Sequence, residues 1–120
     1  SVQLRGDREQ LRQVWLNLVN NALDAMAGVG TLTVRWRPAG DGRAVVEFED
    51  QGAGIAPDVL PRVGEPFFTT KQEGTGLGVA MAQRIVERHG GTLVFESAPG
   101  RGTIARVSLP AEVEILAEAA

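Results

Sequence analysis

The first residue with clear chemical potential is an acid that directly follows a strand-like segment. Asp50 comes after six residues of alternating polarity, residues 44–49, and opens the motif DQGAGI, residues 50–55. A carboxylate there can accept a hydrogen bond from an exocyclic amine such as that of adenine. Gly52 and Gly54 would let a planar ring approach the backbone, and Ile55 would pack on that ring. Taken alone, a motif of this kind more often marks a tight turn that binds nothing.

A second glycine-rich motif precedes a segment with helical periodicity. Residues 74–78 are GTGLG. Glycines at this place bring backbone N–H groups close to an anion at the positive end of a helix dipole, and a phosphate chain fits such a site. The spacing differs from the dinucleotide-binding fingerprint, and a loop rather than a strand comes before it, so that class of fold is disfavoured.

The only lysine of the chain lies between these two motifs. The other eleven basic residues are arginines, whereas Lys71 ends the segment EPFFTTK, residues 65–71. A lysine on a loop that leads to an anion site is a flexible point charge suited to a phosphate, although an ordinary surface charge would look the same. Residues 64–75 together are typical of a lid that hinges at glycines and is ordered by its ligand.

Amide side chains recur along one face of the first predicted helix. The members of this polar stripe follow helical spacing and are Gln10, Gln13, Asn17, Asn21 and Asp24. Asparagine is a poor helix former, and a face that only meets solvent would more naturally carry Glu, Lys or Arg. Amide oxygens are hard, neutral ligands that suit Mg²⁺. The stripe therefore indicates a binding face, with a solvated face as the alternative.

Two helices and five strands are the elements that must position these residues. Apolar periodicity predicts helices over residues 7–27 and 76–89, with Asp7 as the N-cap of the first helix. Strands are predicted over residues 2–4, 31–37, 44–50, 92–97 and 102–109, with turns at 38–42 and 98–101 and a short helix over 57–63. Hairpins separated by helices predict an α+β fold, a two-layer α/β sandwich whose mixed, mostly antiparallel sheet is covered on one face by helices. We expect one domain over residues 1–110 and a tail over 111–120.

Composition excludes several functional classes. The chain has 12 basic and 15 acidic residues and a net charge of −3, which disfavours nucleic-acid binding. Cysteine is absent and there is one histidine, so disulfides, thiol catalysis and multi-histidine zinc sites are excluded. No apolar run reaches the roughly 20 residues that span a bilayer. We expect a monomeric, cytoplasmic domain that is not itself in a membrane.

The order and spacing of four motifs resemble the catalytic ATP-binding domain of sensor histidine kinases, in the GHKL superfamily. NLVNNALD (residues 17–24), DQGAGI (50–55), PFFTTK (66–71) and GTGLG (74–78) are similar to the N box, first glycine box, F box and second glycine box of that family. The resemblance extends from about residue 2 to residue 110, which is nearly the whole chain.

The resemblance implies a role for each matching residue. Asn21 would ligate a Mg²⁺ ion that bridges the phosphates of ATP, and Asn17 would support the phosphate side of the same site. Asp50 would bind the adenine amine, and Lys71 would contact the terminal phosphate. The residues implied to contact ATP are Asn17, Asn21, Asp50, Gly52, Gly54, Ile55, Thr70, Lys71, Gly74, Thr75, Gly76, Leu77, Gly78 and Thr103. Asn17, Asn21 and Lys71 would serve catalysis, whereas Asp24 stands where many relatives have lysine.

The resemblance also implies a reaction. Hydrolysing members of the superfamily carry a glutamate at the position of Asn17, and an amide cannot accept a proton from water. The domain would therefore bind Mg-ATP and present the γ-phosphate to a histidine on a separate dimerisation and phosphotransfer helix, with a response regulator downstream. We interpret His89 as a structural residue at a helix end, so this fragment lacks the phosphoacceptor. An anti-sigma-factor-type serine kinase, a GHKL ATPase and a non-enzymatic ATP-binding module remain alternatives.

Overall fold

The part of the chain that the structure describes contains two helices and five strands. The structure is a computed structural model, and it describes residues 2–4, 6–40, 42–52, 54, 57–58, 61, 78–97 and 99–113. The elements in chain order are β1 (Val2–Leu4), α1 (Arg8–Ala25), β2 (Thr33–Ala39), β3 (Arg43–Glu49), α2 (Gly78–Arg88), β4 (Thr92–Ser97) and β5 (Thr103–Val113). Most of the predicted short helix over residues 57–63 lies outside the described residues.

Both ends of α1 follow from local sequence. Asp7 has an extended backbone, and its carboxylate accepts hydrogen bonds from the N–H groups of Glu9 (2.9 Å) and Gln10 (3.1 Å), so the predicted N-cap is confirmed. The helix ends at Ala25, two residues before the predicted end, because Ala27 and Gly28 take positive φ angles of 52° and 78°. Neither α1 nor α2 is long and apolar enough to cross a membrane.

Every strand pairing in the described part of the chain is antiparallel. The long strand β5 pairs with β3 along one edge and with β4 and then β1 along the other, and β2 completes the sheet beside β3. β5 runs to Val113, three residues beyond residue 110, where we expected the domain to end. The predicted turn over residues 38–42 is wrong in length, because Ala39 pairs with Arg43 and Pro38 lies inside β2. A strand at the edge of a sheet tolerates proline.

The hydrophobic core lies between the two helices and one face of the sheet. The buried core residues are Leu11, Val14, Leu18, Phe48, Ala82, Ile85, Val86, Leu93, Ala105, Val107 and Leu109. Trp15 stacks on Phe48 with ring centroids 5.8 Å apart, which ties α1 to β3. The predicted α+β fold, with helices covering one face of a mostly antiparallel sheet, is confirmed.

The opposite face of the sheet carries a ladder of ion pairs. Arg106 on β5 contacts Glu47 on β3 and Glu96 on β4, each at 2.6 Å, and Arg35 on β2 contacts Glu49 at 2.7 Å. The hydrogen bond from Arg106 lowers the pKa of Glu47 below its usual value. Charged side chains on this face keep it compatible with water.

Candidate functional site

Asp50 lies at the end of β3 with its carboxylate buried and half engaged. Asp50 as a whole residue is 7% exposed. Oδ1 accepts hydrogen bonds from the N–H groups of Gly52 (2.8 Å) and Thr103 (3.2 Å). In the described part of the chain, no donor contacts Oδ2. One carboxylate oxygen is therefore fixed by the main chain, and the other has no donor among the described residues.

Two glycines hold the Asp50 loop tightly against its neighbours. Gly102 has φ +76°, and a Cβ there would lie 2.2 Å from the carbonyl oxygen of Asp50. A Cβ on Gly52 would lie 2.7 Å from the carbonyl oxygen of Ala25 at the end of α1. Only glycine allows these approaches. Sequence reasoning missed the role of Gly102, because this residue was assigned only as the first residue of a predicted strand.

The C-terminal end of α1 forms one wall of the same site. The N–H of Gln51 points at the sulfur of Met26, 3.4 Å away, and Gln51 Oε1 accepts a hydrogen bond from the N–H of Thr31 (3.3 Å). Asn21 is half-buried and lies one helical turn before Ala25, which contacts the loop at Gly52. Residues four apart share a helix face. The polar stripe of α1 therefore runs directly toward the Asp50 loop.

The N-terminal end of α2 meets the stripe one turn earlier. Asn17 Nδ2 donates to the carbonyl oxygen of Gly78 at 3.0 Å, and Asn17 Oδ1 accepts from Gln13 Nε2 at 2.9 Å. A carbonyl can only accept, so Gly78 fixes which side of the Asn17 amide carries nitrogen, and the oxygen must face Gln13. Gln13 was predicted only as a member of the stripe. Its spacing of four residues from Asn17 was the signal that could have identified the pair.

These contacts mark the two ends of a stretch along α1, from Asn17 to Ala25, which we call the cleft. Asn17 holds the start of α2, and Ala25, eight residues later, holds the Asp50 loop. Eight helical residues span about 12 Å, which is a length comparable with that of an extended nucleotide. An acid that accepts a hydrogen bond lies near one end, and amide side chains and a helix N-terminus lie toward the other.

Thr103 lies beside Asp50, at the Ala25 end of the cleft. It is 8% exposed, its N–H contacts Asp50, and its hydroxyl is 2.8 Å from that of Ser97. Ser97 also donates to the carbonyl of Gly102 at 2.8 Å. The structure thus brings Asp50, Gly52 and Thr103 into contact with one another, and Asn17 into contact with Gly78. Asn21 lies on α1 between Asn17 and Ala25. Gly54 continues the Asp50 loop with φ +81°, a conformation that favours glycine.

The remaining predicted contacts lie outside the described residues. They are Ile55, Thr70, Lys71, Gly74, Thr75, Gly76 and Leu77, together with the predicted lid over residues 64–75. Asp24, where relatives often carry lysine, is exposed on α1.

A groove between the two helices opens beside the Asn17 end of the cleft. It encloses about 490 Å³ and is lined by Glu9, Gln10, Gln13, Met81, Arg84, Ile85 and Arg88. Gln13, which contacts Asn17, is shared by the groove and the cleft. Met81 is 50% exposed there and gives the groove an apolar surface among charged groups.

Comparison with known proteins gives a consistent picture. The family described as histidine kinase-, DNA gyrase B-, and HSP90-like ATPase matches residues 6–113. The chain is 45% identical over 108 residues to the sensor histidine kinase ZraS of Klebsiella oxytoca, which covers 90% of this chain and 23% of ZraS. It therefore spans less than a quarter of that curated relative.

Solved structures resemble the chain closely. The mycobacterial sensor histidine kinase MprB has a TM-score of 0.83 and 33% identity, covering 91% of this chain and 75% of that one. Full-length ShkA, solved in complex with AMPPNP, has a TM-score of 0.81 and 28% identity, covering 92% of this chain and 23% of that one.

Proposed function

Because this chain belongs to the family of histidine kinase-, DNA gyrase B- and HSP90-like ATPases, we propose that it binds Mg-ATP in the cleft along α1 and presents the γ-phosphate to a histidine on another module. In that reaction an imidazole nitrogen of the acceptor bonds to the γ-phosphorus, the bond to the β–γ bridging oxygen breaks, and ADP leaves. The protein would contribute positioning and charge neutralisation.

The half-engaged carboxylate of Asp50 carries this proposal. Two main-chain N–H groups hold Oδ1, so Oδ2 has a fixed direction and only accepts. The amine of adenine donates, whereas guanine has a carbonyl at the equivalent position. The site therefore favours adenine. The structural relative ShkA was solved with AMPPNP, an adenine nucleotide, which agrees with this reading.

The amide stripe supports the phosphate end of the proposal. Asn21 lies between Asn17 and the Asp50 loop on the same helix face, where a neutral oxygen could complete the shell of a Mg²⁺ ion shared with phosphate oxygens. The glycine-rich motif that ends at Gly78 would supply N–H groups to the phosphates, and Lys71 would add a charge. Mg²⁺, when bound, would neutralise charge that develops on the phosphates during transfer.

The chemistry of Asn17 favours transfer to a partner over hydrolysis. Both atoms of its amide are engaged with the protein, at Gly78 and at Gln13, and an amide cannot remove a proton from water. His89 lies at the opposite end of α2 from Gly78 and bonds the main chain through both ring nitrogens. The phosphoacceptor would therefore come from a dimerisation and phosphotransfer helix of the same kinase, and a response regulator would receive the phosphoryl group.

The groove beside Gln13 suits the approach of such a helix. Its exposed Met81 offers an apolar contact, and Arg84 and Arg88 offer charged ones. Met81→Glu should lower phosphotransfer to a separately supplied acceptor module at least tenfold while the Kd for Mg-ATP stays within twofold. An equal loss of affinity for ATP would place Met81 in the nucleotide site instead.

One pair of asparagines tests the metal site. Asn21 is half-buried in the stripe, whereas its neighbour Asn20 is exposed on another face of α1. Calorimetric titration with ATP in Mg²⁺ and in EDTA should show that Asn21→Ala abolishes the Mg²⁺ dependence of affinity and that Asn20→Ala keeps it. Persistence of the dependence in Asn21→Ala would refute the role of Asn21.

Radiolabelled ATP separates the candidate reactions. The chain alone should retain no label, should release phosphate slowly, and should label an added acceptor module on histidine. Rapid phosphate release by the chain alone would favour the ATPase. Label on serine of an added protein would favour a serine kinase, and nucleotide binding without any transfer would favour a binding module.

A further inference from the structure

His89 connects the C-terminal end of α2 to the N-terminal end of α1. The Asp7 N–H, at the N-cap of α1, donates to His89 Nε2 at 3.0 Å. His89 Nδ1 lies 2.8 Å from the carbonyl oxygen of Ile85, one turn back in α2. An N–H can only donate and a carbonyl can only accept, so Nε2 carries no proton and Nδ1 carries one. The contacts therefore select a neutral imidazole in the Nδ1–H form.

Steric fit reinforces this connection. Gly6, the residue before the cap, packs so close to the ring that a Cβ there would lie 2.2 Å from Cδ2 and 2.5 Å from Nε2 of His89. After α2 and His89, Gly90 takes φ +77°, and the Gly91 N–H donates to the carbonyl of Val86 at 2.9 Å. The ring is thus held between a helix end of fixed geometry and the chain that enters α1.

The opposite end of α2 is held by the site itself. Asn17 Nδ2 donates to the carbonyl of Gly78, the first residue of α2. Between the two ends, Ala82 and Val86 pack in the core with no exposure. Apolar packing is not directional, so these two polar contacts, about 16 Å apart along eleven helical residues, fix where α2 lies along α1.

We propose that His89 is a positioning residue for the nucleotide site: as the neutral Nδ1–H imidazole, it anchors the C-terminal end of α2 to the N-cap of α1 and thereby fixes the N-terminal end of α2 at Asn17. This inference goes beyond the proposed function, and its effect on nucleotide affinity rests on that function. The role is distinct from that of a cation at a helix C-terminus, because a protonated ring has no lone pair for the Asp7 N–H.

NMR tests the contact without nucleotide. The chain has one histidine, so its two ring nitrogens are assigned without ambiguity in a ¹⁵N spectrum. Above pH 8 we expect a protonated Nδ1 and an unprotonated Nε2, the minor form of free histidine. A spectrum dominated by the Nε2–H form would overturn the proposal whether or not the chain binds ATP.

Variants test whether the contact positions α2. His89→Gln can place its amide oxygen where Nε2 accepts from Asp7, whereas His89→Phe keeps a ring and removes both polar contacts. We expect His89→Phe to shift the side-chain amide resonances of Asn17 and to raise the Kd for Mg-ATP roughly threefold to tenfold. His89→Gln and the control Glu87→Gln, an exposed position of α2, should stay within twofold of the wild type. If His89→Phe lowers stability but leaves both the Asn17 resonances and the Kd unchanged, the role is merely structural and the proposal fails.

Discussion

Substituting Asp50 by Asn separates recognition of the base from the stability of the fold. The Asn oxygen can take the place of Oδ1, where the N–H groups of Gly52 and Thr103 donate at 2.8 and 3.2 Å. Those two donors also prevent the amide from flipping, because its NH₂ group would then face them. The NH₂ group must therefore occupy the position of Oδ2, where the adenine amine is expected.

The size of the effect follows from these contacts. Hydrogen bonds to a charged acceptor contribute about 1.5–3 kcal/mol, and a neutral acceptor contributes about 1 kcal/mol less, so the free energy of unfolding should fall by about 1–2 kcal/mol. At the position of Oδ2, the NH₂ group of Asn would face the adenine amine, and both groups are donors. We therefore expect a loss of about 2–3 kcal/mol of binding free energy. This corresponds to roughly 30- to 150-fold in the Kd for ATP.

Calorimetry with Mg-ATP and Mg-GTP tests this reasoning. The wild type should prefer ATP, and Asp50→Asn should lose most of that preference, because its NH₂ group can donate to the carbonyl of guanine. Asp58→Asn, at an exposed position, is the matched control and should bind as the wild type does. Unchanged affinity of Asp50→Asn for ATP would refute the assignment of Asp50 to the base.

Two further changes test how the site and the sheet are built. Gly102→Ala should lower the free energy of unfolding by more than about 2 kcal/mol in urea titrations, because its Cβ meets the Asp50 carbonyl at 2.2 Å. Gly28→Ala, with φ +78° and open space, should cost only about 1 kcal/mol of backbone strain, and equal costs would contradict the close approach. Glu47 has its pKa lowered by Arg106, so this pair stabilises the fold at neutral pH and the stabilisation is lost as the pH falls through the folded-state pKa. Glu47→Gln should therefore flatten the decline in unfolding free energy between about pH 5 and pH 3, and an unchanged slope would show that other carboxylates control it.

Features set by neighbouring residues could be predicted from the sequence. The Asp7 cap, the apolar stripe of α1 and the fold class depend on local spacing, and the structure contains them. Both boundaries of β2 lie two residues later than predicted, because alternation is weak in a strand whose residues are mostly exposed and proline is accepted at a sheet edge. The course of β5 beside three different strands could not be predicted, since pairing depends on residues far apart in the chain.

The same distinction applies to the site. Asp50 and the amide stripe were recognisable because each has a pattern within a few residues. The contact of Asn17 with Gly78 joins residues 61 positions apart, and that of Gly102 with Asp50 depends on the register of β5. Only the folded structure shows that both atoms of the Asn17 amide contact other residues of the protein. Asn17 was predicted only to contact phosphate, and its contact with Gly78 indicates that it also positions α2.

Helix α1 links the stability of the domain to the geometry of the site. Val14 and Leu18 face the core with 0% and 2% exposure, while Asn17, in the same two turns, donates to the carbonyl of Gly78. A rotation of α1 that relaxed the core packing would therefore turn the Asn17 amide away from Gly78 by the same angle. Because buried side chains are packed as tightly as in crystals of small molecules, such a rotation is opposed by the whole core. The core therefore orients Asn17 toward Gly78 as well as holding the domain together.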